Sequence, residues 1–303
     1  MTEFVQQIFN GLSLGSIYAL IALGYTMIYG ILRFINFAHG DVFMIGAFSG
    51  YYLGILFSFS SGSITATLPL AILIMIGAMA VCGLLGFTIE KLAYKPLRKS
   101  PKLTILITAI GVSLFLEYTG QLVFGADPKS FPSLLENKPV VNLAGAVIGS
   151  NPLVVLITAG ILMYVLRLVV MKTKIGTAMR AVSFNPTAAS LMGININSVI
   201  SFTFIIGSSL AGAAGILYGL NYPSIDPLMG ILPGLKAFVA AVLGGIGNIP
   251  GAAIGGMIIG LLETFVTGYI SPTYRDAIAF GILILILLFK PTGLLGKKEI
   301  EKV

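Results

Sequence analysis

Long apolar runs separated by short polar stretches fill almost the whole chain. A helix needs roughly 20 predominantly apolar residues to cross a bilayer. Runs of that kind cover 9–32, 66–89, 103–124, 152–171 and 199–220, with further apolar stretches at 42–57, 232–245, 251–269 and 274–289. The pattern predicts an all-α, polytopic transmembrane bundle of about 8–9 spans, and residues 1–303 read as a single transmembrane domain. Two of the runs carry small residues four apart. Gly11, Gly15 and Ala19 line one face of the first, and Gly207, Ala211, Gly215 and Gly219 line the sixth. Such faces let helices approach closely, so the sixth span is expected at the centre of the bundle.

Two interruptions stand out. The first is Asn36 to Asp41, including His39 and Gly40, between the first span and a short second one. The second is Gly244 to Gly251, including Gly245 and Gly247. Each is either a tight interhelical turn or a break at membrane depth. Irregular backbone survives at that depth only where protein buries it or where it lines a cavity, and paired interruptions point to a transport pathway. The stretch 172–197, KTKIGTAMRAVSFNPTAASLMGININ, is the longest part of the C-terminal half too polar to cross. Asn185 before Pro186 suits an N-cap with proline at the first helical position, and Gly193 suits the C-terminal end. A helix of about two turns is therefore expected outside the membrane but tied to it.

Composition agrees: 57% of residues are hydrophobic and 10% charged, with a mean hydropathy of +1.01, against about 25% charged in soluble domains. The net charge of +7 does not indicate nucleic-acid binding, because the basic residues gather in a few loops. Lys91, Lys95, Arg98, Lys99 and Lys102, then Lys172, Lys174 and Arg180, then Lys290, Lys297, Lys298 and Lys302 mark cytoplasmic segments by the positive-inside rule. Nine spans with these loops inside place the N-terminus outside and the C-terminus in the cytoplasm. The segment 125–150, where Asp127, Lys129, Glu136 and Lys138 cancel, falls outside. The first apolar run has no basic flank or cleavage pattern and reads as a retained span.

Candidate chemistry is sparse. Glu117 and Glu263 lie within spans, where ionisable residues are functional candidates, although each could equally hydrogen-bond to a neighbouring helix. Lys236, near an external end, reads as an interface anchor. One cysteine, Cys82, excludes an intrachain disulfide, and one histidine, His39, excludes a multi-histidine metal site. There is no nucleotide phosphate loop, no H-E-x-x-H and no G-x-S-x-G. No catalytic residue, metal or resident cofactor is expected.

Three stretches resemble a known family. Asn36-Phe37-Ala38-His39-Gly40-Asp41 with Met44-Ile45-Gly46-Ala47, Ala240 to Ala252 around Gly244-Gly245-Ile246-Gly247, and Arg180 to Asn195 are similar to signatures of branched-chain amino acid ABC permeases of the LivH type. The resemblance extends over essentially the whole chain. It implies the transmembrane subunit of a bacterial inner-membrane importer. Such a subunit pairs with a related permease or itself, receives solute from an external binding protein and docks two cytoplasmic ATPases that use the ATP. It implies that Arg180, Asn185, Pro186, Thr187, Ala188, Ala189, Leu191 and Gly193 serve coupling to the ATPase, with Ala188, Ala189 and Leu191 filling its groove. The residues Asn36, His39, Gly40, Asp41, Gly244, Gly245 and Gly247 belong by the same resemblance to the translocation pathway. Leucine, isoleucine and valine are the implied substrates; urea, short amides and other small neutral solutes are alternatives for the same machinery. A different class, an ion-coupled secondary transporter using Asp41, Glu117 or Glu263, predicts transport that needs no ATPase.

Overall fold

A computed structural model describes residues 2–61, 67–98, 100–143 and 146–296. Lys99 of the basic loop and Lys297, Lys298 and Lys302 of the tail lie outside the described residues. The chain folds as helices α1 (Thr2–Leu32), α2 (His39–Ser61), α3 (Leu68–Ile89, continued by a π-turn over Glu90–Tyr94) and α4 (Lys102–Phe124). Strands β1 (Lys129–Ser130), β2 (Pro139–Leu143) and β3 (Ala146–Gly149) follow, then α5 (Ser150–Lys172), α6 (Lys174–Phe184), α7 (Pro186–Leu191) and α8 (Ile196–Asn221). After β4 (Ser224–Ile225) come α9 (Ile231–Gly244), α10 (Ile249–Tyr269) and α11 (Arg275–Phe289). The two small antiparallel pairs, β1 with β4 and β2 with β3, lie in the loops at one face.

Among the described residues, eight helices are long and apolar enough to cross a membrane. Helix α9, at 14 residues, is about 21 Å long at 1.5 Å per residue, short of a 30 Å hydrocarbon core. The chain nevertheless crosses the bundle there. At one face, the end of α8 is fixed by Asn221 Nδ2 donating to Ser13 Oγ (2.7 Å) and by Asn151 Nδ2 donating to the Leu220 carbonyl (3.0 Å). At the other, Leu294 N and Leu295 N, just beyond α11, donate to the Leu243 and Gly244 carbonyls at the end of α9. Residues 222–230 complete the passage as non-helical backbone. With α9 counted, the described residues contain nine apolar helices.

Helices α1 and α8 are the most buried of the long helices, and α11 the least. The small-residue faces account for this. Gly11 and Gly15 of α1 lie on the backbone of Leu261 and Met257 in α10, and α1–α10 is the most extensive helix contact in the structure. On α8, Gly207 meets Gly24 of α1, Gly215 meets the α2 backbone at Phe43 to Ala47, and Gly219 accommodates the Phe131 ring. The central position expected for the sixth span holds. With lipid no less apolar than leucine, this close packing is a main source of helix association.

Candidate functional site

The first interruption lies inside the bundle. Helix α1 ends at Leu32, Arg33 takes a left-handed conformation (φ 54°), and the chain turns back inward, so that Asn36, His39 and Asp41 are each 2% exposed or less. Gly40 abuts the backbone of Gly230 and Gly234. Gly234 precedes the end of α9 by ten residues, which is about 15 Å of helix rise. Helix α2 thus starts near mid-depth. The side chains of Asn36 and Asp41 in the break are held by hydrogen bonds from other helices. Tyr94 Oη donates to Asn36 Oδ1 at 2.5 Å. Ser113 Oγ donates to Asp41 in the first turn of α2, where the helix dipole favours a carboxylate. The same hydroxyl lies 3.4 Å from Glu117 Oε1. The His39 ring packs edge-on to Tyr25 at 4.8 Å between centroids and fills the space a side chain at Gly24 would take. A cleft of about 90 Å³, bounded by Tyr25, Asp41, Ser113, Glu117, Gly230 and Gly234, opens here. Tyr94→Phe leaves the buried Asn36 oxygen without its donor, an expected loss of about 1–3 kcal/mol. A lower Tm in detergent checks this; an unchanged Tm means the bond contributes nothing.

Toward the opposite face sits an ionic cluster. Glu263 of α10 (4% exposed) accepts from Tyr18 Oη at 2.9 Å and pairs with Lys236 of α9 (1% exposed) at 2.8 Å. Lys236 also meets Asp276 at 2.6 Å, and Arg275 Nε lies 3.4 Å from both Glu263 and Asp276. The expectation for Lys236 is corrected: it is no interface anchor, because two carboxylates from α10 and α11 hold its ammonium inside the protein. Glu263 is placed by the same contacts. Cavities of about 390 and 330 Å³ flank the cluster, and Leu14, Tyr222, Glu263 and Arg275 line both.

The expected short helix is α7. Asn185 Oδ1 accepts from Ala188 N at 3.0 Å, Pro186 occupies the first turn, and Gly193 has φ +81°. The structure adds α6, which the polar reading of this loop missed. Thr173 Oγ1 caps it by accepting from Gly176 N at 3.1 Å, and the apolar residues Ile175, Met179 and Val182 recur at helical spacing. That spacing was the available signal. Arg180 donates to the Val170 carbonyl at the end of α5 and to Thr177 Oγ1, so its guanidinium clamps α6 to α5. Asn185, Pro186, Thr187, Ala188 and Leu191 are exposed, whereas Ala189 is 4% exposed and packs inward. Ala189 therefore belongs to the support of α7 and not to its outer surface. The large apolar side chains that project are Phe184, Leu191 and Met192.

The second interruption is a tight turn between α9 and α10. Gly244 lies against Gly251, and Gly245 (φ +99°) touches the Thr292 carbonyl and the backbone of Gly296; Gly247 has φ +92°. Asn248 Oδ1 caps α10 through Gly251 N at 3.1 Å. Packing and turn geometry account for the glycines here, and Gly244 and Gly245 border none of the cavities described above.

Comparison with known proteins places this geometry. The profile of the family described as "Branched-chain amino acid transport system / permease component" matches residues 7–287. The chain is 42% identical to the high-affinity branched-chain amino acid transport system permease protein BraD of Pseudomonas aeruginosa, over 99% of this chain and 98% of the relative. It is 44% identical to the corresponding permease protein LivH of Escherichia coli K12, again over 99% and 98%. A probable branched-chain amino acid transport permease LivH of Methanocaldococcus jannaschii is 32% identical, over 91% of this chain and 88% of the relative.

Proposed function

The chain belongs to the branched-chain amino acid transport system permease family, as a multi-pass membrane component, and we propose that it carries leucine, isoleucine and valine inward as the translocating subunit of an ATP-driven importer. In this reading ATP is hydrolysed on two separate cytoplasmic subunits, a second permease chain completes the channel, and an external binding protein delivers the solute. The N-terminus lies outside and the C-terminus in the cytoplasm, in keeping with the basic loops. The supporting observation is mechanical. Helix α7 presents Leu191 and Met192 outward, while Arg180 ties the preceding helix to α5 and Asn195 Oδ1 caps α8 through Ser198 N. A push on α7 is thereby delivered to α5 on one side and to the central helix α8 on the other. The mid-depth cleft at Asp41, Ser113 and Glu117 is the proposed narrow part of the route.

The test is uptake of labelled leucine into vesicles carrying the chain with its cognate ATPases and binding protein. The expected result is uptake that requires ATP and persists with a protonophore. Uptake that needs no ATPase and collapses with the ionophore would overturn the reading in favour of an ion-coupled carrier. Gly193→Pro supplies a second check. Proline fixes φ near −65° and lacks the N–H that Gly193 donates to the Ser190 carbonyl at 3.0 Å. The variant is expected to insert normally while losing ATPase docking and ATP-driven uptake; normal uptake would remove α7 from the mechanism.

A further inference from the structure

The cavity of about 330 Å³ beside the ionic cluster combines features that no transport role assigned above requires. It is lined by charged residues of both signs, Lys236, Glu263, Arg275 and Asp226, and by an apolar wall that includes Leu228, Met229, Leu232 and Pro233. Lys236 and Glu263 are nearly fully buried, and charges that far inside a membrane protein are costly to keep and mark function by default. Their pairing is also uneven. Lys236 engages both Glu263 (2.8 Å) and Asp276 (2.6 Å), while Arg275 approaches them only through Nε, at 3.4 Å. No described residue accepts from the terminal Nη1 and Nη2 of Arg275, so the fork that suits a carboxylate is open. Asp226 uses Oδ1 to accept from Leu228 N at 2.9 Å, and no described residue engages Oδ2.

We propose that this chamber is a binding station for an α-amino acid zwitterion on the outer side of the bundle. The Arg275 terminal nitrogens take the α-carboxylate, Asp226 takes the α-ammonium, and the wall of Leu228, Met229, Leu232 and Pro233 takes an aliphatic side chain. The volume falls in the range of about 300–1,000 Å³ common for small-molecule sites. The proposal rests on the transport reading and sharpens it. A site with fixed opposite charges prefers a zwitterion to urea or a neutral amide, so the permease itself contributes to substrate selection.

The experiment measures binding of labelled L-leucine to the chain in nanodiscs with its copurifying subunits, without ATP or binding protein. Leucinamide, which lacks the carboxylate, and urea serve as competitors. Saturable binding of leucine is expected, with leucinamide at least about tenfold weaker and urea ineffective, as loss of a charged hydrogen-bond partner implies. Arg275→Gln is expected to abolish the preference for leucine over leucinamide; a purely structural role would weaken both ligands alike. Arg275→Lys keeps the charge without the fork and is expected to fall between. Leu232→Trp, which fills the chamber and leaves the ionic cluster intact, is expected to block leucine binding. Absence of saturable binding, or a preference retained by Arg275→Gln, overturns the station. ATP-driven leucine uptake by the unaltered protein in that case leaves the transport reading standing, whereas loss of that uptake would remove the transport reading itself.

Discussion

Gly256→Leu is expected to abolish the folded permease. Gly256 of α10 lies on the backbone of Ala19 in α1, and a Cβ built at this position meets the Ala19 backbone nitrogen and Cα before any larger side chain is considered. No rotamer relieves a clash with backbone. The helices must separate, and separation also opens the neighbouring contacts of Gly11 with Leu261 and Gly15 with Met257. Overpacking a well-filled core typically costs about 1–3 kcal/mol and occasionally more. Here the loss falls on the most extensive helix pair, in a solvent where close packing is a main source of association. Expression with a fluorescent tag and size-exclusion chromatography should show at least a tenfold loss of monodisperse protein. Gly160→Leu is the control, because nothing lies within 4 Å of a Cβ there and the position is exposed on α5. A monodisperse, transporting Gly256→Leu would show that α1 and α10 do not meet as described.

What the sequence made legible divides along physical lines. Features set by local spacing were readable: the apolar spans, the small-residue faces of α1 and α8, and the Asn185–Pro186 start of α7. Helix α6 was missed, although Thr173 and the Ile175, Met179, Val182 spacing announce it, because polarity alone decided the reading of that loop. The two interruptions looked equivalent in sequence and are not. Asn36 to Asp41 turns inward because Tyr94 and Ser113, on other helices, receive its polar groups. Gly244 to Gly251 is a turn in which Gly244 and Gly251 lie against each other and Gly245 meets the backbone beyond α11. The ionic cluster could not be foreseen, since Lys236, Glu263 and Asp276 come from three helices and only their packing brings the charges together.

Lys236→Met tests whether that cluster exists for stability or for transport. Glu263 and Lys236 are nearly fully buried, so removing the ammonium leaves a carboxylate whose remaining partners are the Tyr18 hydroxyl at 2.9 Å and Arg275 Nε at 3.4 Å. Breaking a buried pair from one side costs on the order of 3–5 kcal/mol, whereas replacing both members by apolar groups of similar volume is often neutral or stabilising. The single variant is therefore expected to show a markedly lower Tm in detergent, and Lys236→Met combined with Glu263→Leu is expected to recover most of it. The double variant removes one charge of each sign and still holds Arg275 beside Asp276 at 3.4 Å, so the net charge around the chamber is unchanged. If the cluster served only to hold α9, α10 and α11 together, recovered stability would bring recovered uptake. We expect a stable protein with impaired leucine uptake, because Arg275, which takes the α-carboxylate, loses Glu263 as one of its two partners and is no longer held in place for the zwitterion while the fold is intact. A double variant that is both stable and fully active would assign the cluster to structure alone.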